Sequence, residues 1–472
     1  MKTGSSAASL PNPTPLLFLV TAIAILAWPD AIGLTTLVIA AVVLVPAALI
    51  SLAKSPQAAI VALIMASAMP RLFIEIGGLK ARPEHIIAGI MICVLPFIWK
   101  KRERAVEWIW PDKLLMIYLA LIFFSSVFMS IDSRQTTKWA VQQTLGILPY
   151  FFLRVIVTDR ERFRWAFRAL LAIGAVASAY AILCFYSYSF FGTAFGVEVE
   201  QYEGGVAATY GLQFEANILG AYSGALAVMM LVMYLWKGSR KFLIGSTFFG
   251  LIAMAVSLSR AALIATLVAM VLAGLLAFMR KHLTWKATAN FAAASVAALL
   301  LVAPFILRHY TERFSTVEIT DPTSDPNTLT RAVQTVSALD EIEKHPFFGG
   351  GTASFQLAFD WQQFGADWED QGWIGNTELR VLHDTGVVGL LTFVIFVASL
   401  VWSVRKVLQR ESSPELIALL AGGAVYCVTF QATEGTLLAF TWVHLGLIGC
   451  AVAIMKRQEN HGNELDRLRI QN

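Results

Sequence analysis

The sequence predicts an all-α, polytopic membrane protein, and both its composition and its apolar runs indicate that class. Of 472 residues, 57% are hydrophobic and 14% are charged, whereas soluble domains carry about 25% charged residues. Apolar runs recur along the chain at lengths near the roughly 20 helical residues that cross a bilayer. An ordinary soluble enzyme is excluded, and we expect about 12–14 transmembrane helices.

Fourteen apolar runs are candidate spans, and the first and third of them are short. The first run has no clear small-residue cleavage site and is followed at once by others, so we expect a retained span instead of a signal peptide. The candidate spans are residues 15–28, 33–53, 57–70, 84–99, 114–130, 138–153, 169–191, 216–236, 242–258, 261–279, 287–306, 386–403, 415–430 and 438–455.

Lys and Arg residues are distributed unevenly between alternate connections of the predicted spans. With the N-terminus in the cytoplasm, 25 of the 36 basic residues fall on the cytoplasmic side and 11 on the other, as the positive-inside rule requires. The long polar segment 307–385, with 13 acidic and 5 basic residues, then lies outside. We expect membrane helices over 1–306, a large outer loop over 307–385, membrane helices over 386–455 and a cytoplasmic tail over 456–472.

The large outer loop is predicted to contain helices of its own. The sequence DPTSDPN at 321–327 is typical of turns and helix caps. In residues 328–344 apolar side chains recur at spacings of three and four, which predicts a helix. Three glycines at 349–351 suit a close approach of the backbone to another surface. A further helix is expected to begin near Asn376 and to run through Gly386 into the next span.

Two arginines on the outer side are candidates for binding an anion. Arg260 ends a tight turn between two spans, where an arginine at membrane level needs water or an anionic partner. Arg331 lies on the predicted loop helix, on the same side of the membrane. A guanidinium group can donate two parallel hydrogen bonds to phosphate oxygens. The alternatives are a snorkelling surface charge for Arg260 and a solvated helix charge for Arg331.

His383 precedes Asp384 in the sequence and is a candidate general base. Imidazole titrates near neutrality, and a neighbouring carboxylate can orient it; an interfacial histidine without a catalytic role is the alternative. Two more histidines, His309 and His345, lie in the same loop among many carboxylates. Their spacings match no zinc signature. We therefore expect no metal site.

Three tryptophans with acidic neighbours lie in the second half of the loop. They are Trp361, Trp368 and Trp373. Aromatic faces with nearby carboxylates suit sugar rings, which present apolar CH faces and hydroxyl edges. Tryptophans are also enriched at membrane interfaces without a catalytic reason. Binding of a saccharide and anchoring at the interface are both open at this point.

Four motifs occur in order over about residues 200–400. They are FEANILG at 214–220, SRA at 259–261, Arg331 ahead of HPFFGGG at 345–351, and Asn376 with Leu379 ahead of GVVG at 386–389. Their order and spacing resemble the O-antigen ligase and polymerase superfamily. The members of that superfamily are glycosyltransferases that join lipid-linked saccharides on the outer side of the bacterial inner membrane.

The resemblance implies transfer of a glycan from a polyprenyl diphosphate carrier to an acceptor hydroxyl. Arg260 and Arg331 would hold the diphosphate, and fixed cations in a pocket of low dielectric stabilise the charge that develops there. No nucleotide or other cofactor is expected, because the chain has no P-loop or GxGxxG element. The expected substrate-binding residues are Asn217, Asn376, Trp368 and Trp373.

One position departs from the pattern of the ligases in this superfamily. They usually have a histidine immediately before the asparagine that matches Asn376, and this chain has Gly375. Another group must then serve as base, and Glu378 and His383 are the candidates. The departure favours a repeat-unit polymerase. An O-antigen ligase that transfers the glycan to lipid A core or to protein is the alternative.

A transporter of lipid-linked oligosaccharides and a non-catalytic assembly subunit are the competing classes. Transporters usually carry ionisable residues near the midplane. The predicted spans 114–130, 216–236, 242–258, 261–279, 287–306 and 386–403, in contrast, contain no Asp, Glu, Lys or Arg. We expect the bacterial inner membrane as location, with both termini cytoplasmic and the large loop periplasmic. The lipid bilayer, the lipid-linked glycan and polysaccharide export or assembly proteins are the candidate partners. No nucleic acid is expected.

Overall fold

The structure is a computed structural model that describes most of the chain after residue 53. Its described residues are 54–76, 79–100, 106–193, 195–198, 208–237, 241–279, 326–359 and 373–471, with single positions at 52, 289, 293, 296, 300, 303, 304 and 307. The predicted spans at 15–28, 33–53 and 287–306 therefore lie outside the described residues, apart from single positions. Trp361 and Trp368 also lie outside them.

Helices make up nearly all of the described chain. In order they are α1 (Pro56–Ser67), α2 (Pro83–Lys100), α3 (Trp110–Phe128), α4 (Ser133–Ile156), α5 (Arg160–Phe191), α6 (Ala216–Lys237), α7 (Lys241–Val256), α8 (Arg260–Met279), α9 (Pro326–Lys344), α10 (Phe355–Ala358), α11 (Thr377–Arg410), α12 (Pro414–Thr429) and α13 (Ala439–Gln471). The helix predicted at 328–344 is confirmed as α9. The domain boundary expected at residue 386 falls on a kink inside α11, and the boundary at 456 falls inside α13.

The all-α polytopic class is confirmed. Seven of the described helices are long and apolar enough to cross a membrane, namely α2, α3, α5, α6, α8, α11 and α13. Three shorter apolar helices, α1, α7 and α12, accompany them. The span predicted at 138–153 forms helix α4, which is not among these ten. Its polar side chains, which include Lys138, Gln142 and Gln143, explain the difference.

Two short hairpins interrupt the helices. Strand β1 (Ile74–Ile76) pairs antiparallel with β2 (Leu79–Ala81) between α1 and α2, with Ile74 opposite Ala81. Strand β3 (Val197–Glu198) pairs antiparallel with β4 (Ala208–Thr209) between α5 and α6. These strands form connections between helices and do not alter the fold class.

Helix α6 is the central helix of the described bundle. Every residue in its most apolar stretch is buried, and the helix packs against α7, α8 and α12. Small residues permit the close approach to α8: a Cβ on Gly220 would lie 2.7 Å from Ala262 Cβ, and one on Gly224 would lie 2.1 Å from Thr266 Oγ1. Such small-residue contacts are typical of membrane helix packing, where van der Waals contact contributes strongly to the association of helices.

The polar connections form two sets. The site end consists of residues 68–76, 79–82, 129–132, 192–193, 195–198, 208–215, 257–259, 345–354 and 430–438. The opposite end consists of residues 106–109, 157–159 and 411–413, the last residue of α6, the first residue of α7 and the segment 456–471. Contacts link segments of the same end: Arg71 with Phe214 and Arg82 with Leu437 at the site end, Lys456 with Glu107 at the opposite end. The described helices therefore alternate in direction.

A buried ion pair holds the opposite end together. Arg154 of α4 donates from Nη2 to Asp112 Oδ2 of α3 at 2.9 Å and from Nε to Oδ1 at 3.0 Å. Tyr150 adds a hydrogen bond to Oδ1 at 2.7 Å, and the Ile109 amide donates to Oδ2 at 2.9 Å. Both oxygens of this buried carboxylate are thus satisfied, which offsets the cost of removing it from water.

Asp112→Ala should lower the free energy of unfolding by about 3–5 kcal/mol, because it leaves the buried Arg154 without its counter-ion. The measurement is thermal unfolding of the purified protein in detergent. Lys456→Ala is the control, since its pair with Glu107 is partly exposed and should contribute about 0–1 kcal/mol. Equal stability of the two variants would contradict this account of the opposite end.

Candidate functional site

The candidate site lies at the kink in α11. Gly386 has φ 66° and ψ −171°, a conformation that favours glycine. The amides after the kink cannot reach helical acceptors, so Val387 N donates to Pro346 O at 2.9 Å and Val388 N donates to Phe347 O at 3.1 Å. The second half of the helix therefore begins with satisfied N–H groups, which a helix entering a membrane requires.

The glycine run 349–351 completes the exchange of hydrogen bonds with α11. Gly350 N donates to His383 O at 2.9 Å, and Gly351 N donates to Asp384 O at 3.1 Å. A Cβ on Gly349 would lie 2.4 Å from the carbonyl carbon of Asp384, so a larger residue would not fit. The close backbone approach predicted for this run is confirmed.

His383 and Asp384 form a buried pair beside the kink. His383 Nδ1 lies 3.1 Å from Asp384 Oδ1, and the residues are 3% and 4% exposed. Asp384 Oδ2 accepts from the Ala353 amide at 3.1 Å, and Phe355 packs edge-on against the imidazole. In the described part of the chain, His383 Nε2 has no hydrogen-bond partner. An imidazole oriented in this way can exchange a proton through Nε2.

Arg380 supplies a buried positive charge one helical turn before Asp384. It is 2% exposed, and its Nε donates to Asp384 Oδ2 at 3.4 Å. Its Nη1 lies 3.4 Å from Glu434 Oε2, although the groups are not aligned for a hydrogen bond. The guanidinium carbon stands 4.8 Å from the ring centre of Trp373. Arg380 therefore joins the His383–Asp384 pair to two further segments.

The loop 430–438, between α12 and α13, fixes the first turn of α11. Thr377 N donates to Phe430 O at 3.0 Å, and Gly435 N donates to Thr377 Oγ1 at 3.0 Å. Glu434 accepts the amide of Thr436 through Oε1 at 2.6 Å, which leaves Oε2 facing Arg380. The C-terminal membrane helices thus contribute directly to the site.

Asn376 and Glu378 both contact Gln431 in this loop. Asn376 caps α11 by accepting from Leu379 N at 2.8 Å, and its amide group donates to the Gln431 side chain at 3.2 Å. Glu378 Oε1 accepts from Gln431 Nε2 at 2.7 Å. At 3.6 residues per turn, Glu378 lies about 140° around the helix from His383. The two candidate bases therefore occupy different faces of α11.

Asn217 and Arg260 lie where α6 and α8 pack at the site end. Asn217 is in the first turn of α6, and Arg260 is the half-buried first residue of α8. The turn between α7 and α8 includes Leu258, whose φ of 56° is unusual for a leucine. A Cβ on Gly220 would lie 2.7 Å from Ser257 Oγ, so this turn fits closely against α6.

Arg331 is exposed on α9. This helix packs through Ala338 against Phe355 and Ile374 in a small apolar cluster, which joins it to the first turn of α11. Trp373, 38% exposed, lies beside Arg380. The structure therefore brings His383 and Trp373 to one cluster through Arg380 and Asp384, whereas Arg331 is on a neighbouring helix.

Arg380 and Glu434 were not among the site residues predicted from the sequence. The spacing of Arg380 and Asp384 was the available signal, because residues four apart lie together on a helix. The contact with Glu434 spans 54 positions of the chain and leaves no local pattern. Two arginines that flank Phe214 were also not predicted as site residues. Arg71 donates to the Phe214 carbonyl at 3.3 Å, and the guanidinium carbon of Arg82 lies 4.5 Å from the Phe214 ring centre.

The polar groups of the site are suited to proton transfer and to hydrogen bonding. Among the residues described, no group of three or more His, Cys, Asp and Glu side chains could hold a metal ion. The carboxylates of Asp384 and Glu434 are instead engaged by Arg380 and by backbone amides. The chemistry available from these side chains is therefore that of an acid, a base and hydrogen-bond donors.

Comparison with protein families identifies part of the chain. Residues 245–394 match the family model described as O-antigen ligase. The matched segment begins inside α7 and includes α8, α9, α10 and the kinked start of α11, and therefore contains Arg260, Arg331 and the His383–Asp384 pair. A search of the curated proteins finds no match to the chain.

Gly386→Ala should destabilise the protein by about 1–3 kcal/mol, the range for a non-glycine residue held in a disfavoured conformation. A Cβ here would also lie 2.3 Å from the carbonyl carbon of Phe347. Thermal unfolding in detergent provides the measurement. Gly274→Ala in α8 is the matched control, because a Cβ there meets no atom within 4 Å. If Gly386→Ala were as stable as this control, the backbone hydrogen bonds between α11 and residues 346–347 would not require glycine at position 386.

Proposed function

We propose, from the match of residues 245–394 to the O-antigen ligase family model, that this membrane protein is a glycosyltransferase acting on polyprenyl-diphosphate-linked saccharides. More specifically, we propose a polymerase that extends lipid-linked repeat units. The observation that carries the proposal is the buried His383–Asp384 pair within the matched segment. Such a pair can accept the proton of an acceptor hydroxyl.

In the proposed reaction, the acceptor hydroxyl oxygen attacks the anomeric carbon of the donor sugar. The bond from that carbon to the diphosphate oxygen breaks, and polyprenyl diphosphate leaves with the bonding electrons. His383 Nε2 takes the hydroxyl proton, and Asp384 stabilises the resulting imidazolium from Nδ1. Glu378 is the second candidate base, because its Oε2 is buried without a hydrogen-bond partner in the described residues.

Arg260 and Arg331 are the proposed diphosphate-binding residues. Negative charge develops on the leaving diphosphate, and fixed cations lower the barrier by stabilising it. Arg260 begins α8, where the N-terminal amides add partial positive charge. Arg331 is accessible on α9. Asn217, Asn376, Trp368 and Trp373 are the proposed saccharide-binding residues.

We propose a polymerase in preference to a ligase because of Gly375. A Cβ at this position would lie 3.5 Å from Gln334 Oε1 of α9, so the space admits a side chain, yet the histidine usual in ligases is absent. Use of His383 as the base, in place of the ligases' histidine, is consistent with an acceptor that differs from the acceptor of a ligase. A ligase that delivers the glycan to lipid A core or to protein is the alternative, and the experiments below distinguish the two.

The proposed location is the bacterial inner membrane, with both termini in the cytoplasm and the site end in the periplasm. The distribution of Lys and Arg supports this orientation, and the contacts of the two ends are consistent with it. A lipid-linked donor can then enter from the bilayer. Polysaccharide export or assembly proteins are the proposed partners.

His383→Gln should lower chain formation by about 10²–10⁴-fold, the usual contribution of a general base. The measurement is profiling of surface polysaccharide and lipid-linked intermediates in a deletion strain that carries the variant, with membrane levels determined. Single repeat units should remain on their carrier or acceptor. His345→Gln, which changes a histidine outside the site cluster, should restore normal profiles. Normal polysaccharide with His383→Gln would exclude His383 as the base.

Arg260→Ala and Arg331→Ala should each abolish long surface polysaccharide in the same strain, because the diphosphate loses a cation. Arg134→Ala is the control, since this arginine is exposed at the same end on α4. Single units remaining with both variants would support a polymerase, whereas long chains on the polyprenyl carrier would indicate a ligase. Normal polysaccharide from both would eliminate the diphosphate site and favour a transporter or a scaffold.

A further inference from the structure

Arg380 is the one arginine of the site cluster whose bonding capacity is largely unused in the described residues. Its Nε is bonded to Asp384, but Nη1 and Nη2 have no hydrogen-bond partner there, although the residue is 2% exposed. An unsatisfied buried donor costs about 1–3 kcal/mol, and more when it is charged. A bound ligand that accepts from both nitrogens would offset that cost.

The charges around Arg380 restrict the ligand that it can hold. Asp384 Oδ2 and Glu434 Oε2 each lie 3.4 Å from guanidinium nitrogens, so two carboxylates already surround one positive charge. A phosphate or carboxylate added here would be repelled by those two anions at short range. Neutral hydroxyl groups can accept from the same N–H groups without that repulsion.

Trp373 provides an apolar surface next to these donors. The guanidinium group lies 4.8 Å from the ring centre, and 38% of the residue stays exposed. Indole surface beside fixed hydrogen-bond donors complements a pyranose ring, which combines an apolar CH face with a rim of hydroxyls. The exposed part of Trp373 is therefore suited to contact a sugar that Arg380 holds by its hydroxyls.

We propose that Arg380 and Trp373 form a subsite for a neutral sugar residue of the glycan, and that this subsite disfavours uronic acids. This inference rests on the proposed function and adds the class of sugar. Arg380 donates from Nη1 and Nη2 to neighbouring hydroxyls of the ring, while its Nε keeps the contact with Asp384. The subsite therefore lies directly beside His383, where the reacting hydroxyl is expected.

The test is saturation-transfer NMR of the intact protein in nanodiscs with methyl glycosides as probes. The neutral set contains the glucoside, galactoside, mannoside and N-acetylglucosaminide, and the acidic set contains the glucuronide and galacturonide. At least one neutral probe should bind, and both acidic probes should bind more weakly than their neutral parents. Lys344→Ala, an exposed change on α9, is the control and should bind as the intact protein does.

Two variants separate a ligand role of Arg380 from a structural one. Arg380→Lys keeps a positive charge for Asp384 and Glu434 but removes the planar pair of donors. It should weaken neutral-glycoside binding about tenfold, the loss expected for two hydrogen bonds. Trp373→Ala, at an exposed position, should lose saturation transfer without a change in thermal unfolding.

A third variant tests the preference for neutral sugars. Glu434→Gln removes one of the two carboxylate charges and should reduce the discrimination between glucuronide and glucoside. The proposal is overturned if no neutral glycoside binds, if the acidic probes bind better than the neutral ones, or if Arg380→Lys and Trp373→Ala bind like the intact protein. Normal polysaccharide from both Arg260→Ala and Arg331→Ala would instead contradict the proposed function, and the binding measurements would still decide whether the sugar subsite exists.

Discussion

The structure depends on the exchange of backbone hydrogen bonds between the kink in α11 and the loop 345–351. A bilayer offers no water to backbone groups, so a helix can break at its membrane entrance only where protein replaces the lost bonds. Pro346 and Phe347 supply acceptors for the amides after Gly386, and glycine amides supply donors for the carbonyls before it. The loop and the helix entrance are consequently one rigid unit.

That unit determines the positions of the reactive side chains. The carbonyls of His383 and Asp384 are bonded to the glycine run, so neither residue can rotate with a mobile helix end. Asp384 is then held by Arg380, and Arg380 by the loop 430–438. Three segments far apart in sequence thereby converge on one face of α11, and the imidazole is oriented before any substrate arrives.

Local patterns predicted the elements of this site, and long-range contacts determined its composition. Apolar spacing predicted α9, and the run 349–351 predicted a close backbone approach, because both depend on residues near in sequence. The adjacency of His383 and Asp384 was likewise visible. Glu434 could not be predicted as a site residue, because its contact with Arg380 arises only when the loop 430–438 packs against α11. The separation of Glu378 from His383 follows from helix geometry and was predictable.

The two buried arginines at opposite ends of the molecule illustrate how burial serves stability or binding. Arg154 meets both oxygens of Asp112 and donates from Nη2 to the Glu107 carbonyl as well, so its charge is compensated within the protein. Arg380 is equally buried, yet both of its terminal nitrogens lack hydrogen-bond partners among the described residues. Folding alone does not explain the free-energy cost of these unsatisfied donors, because apolar packing at this position would avoid that cost. The unsatisfied donors of Arg380 are therefore better explained by a ligand that completes them.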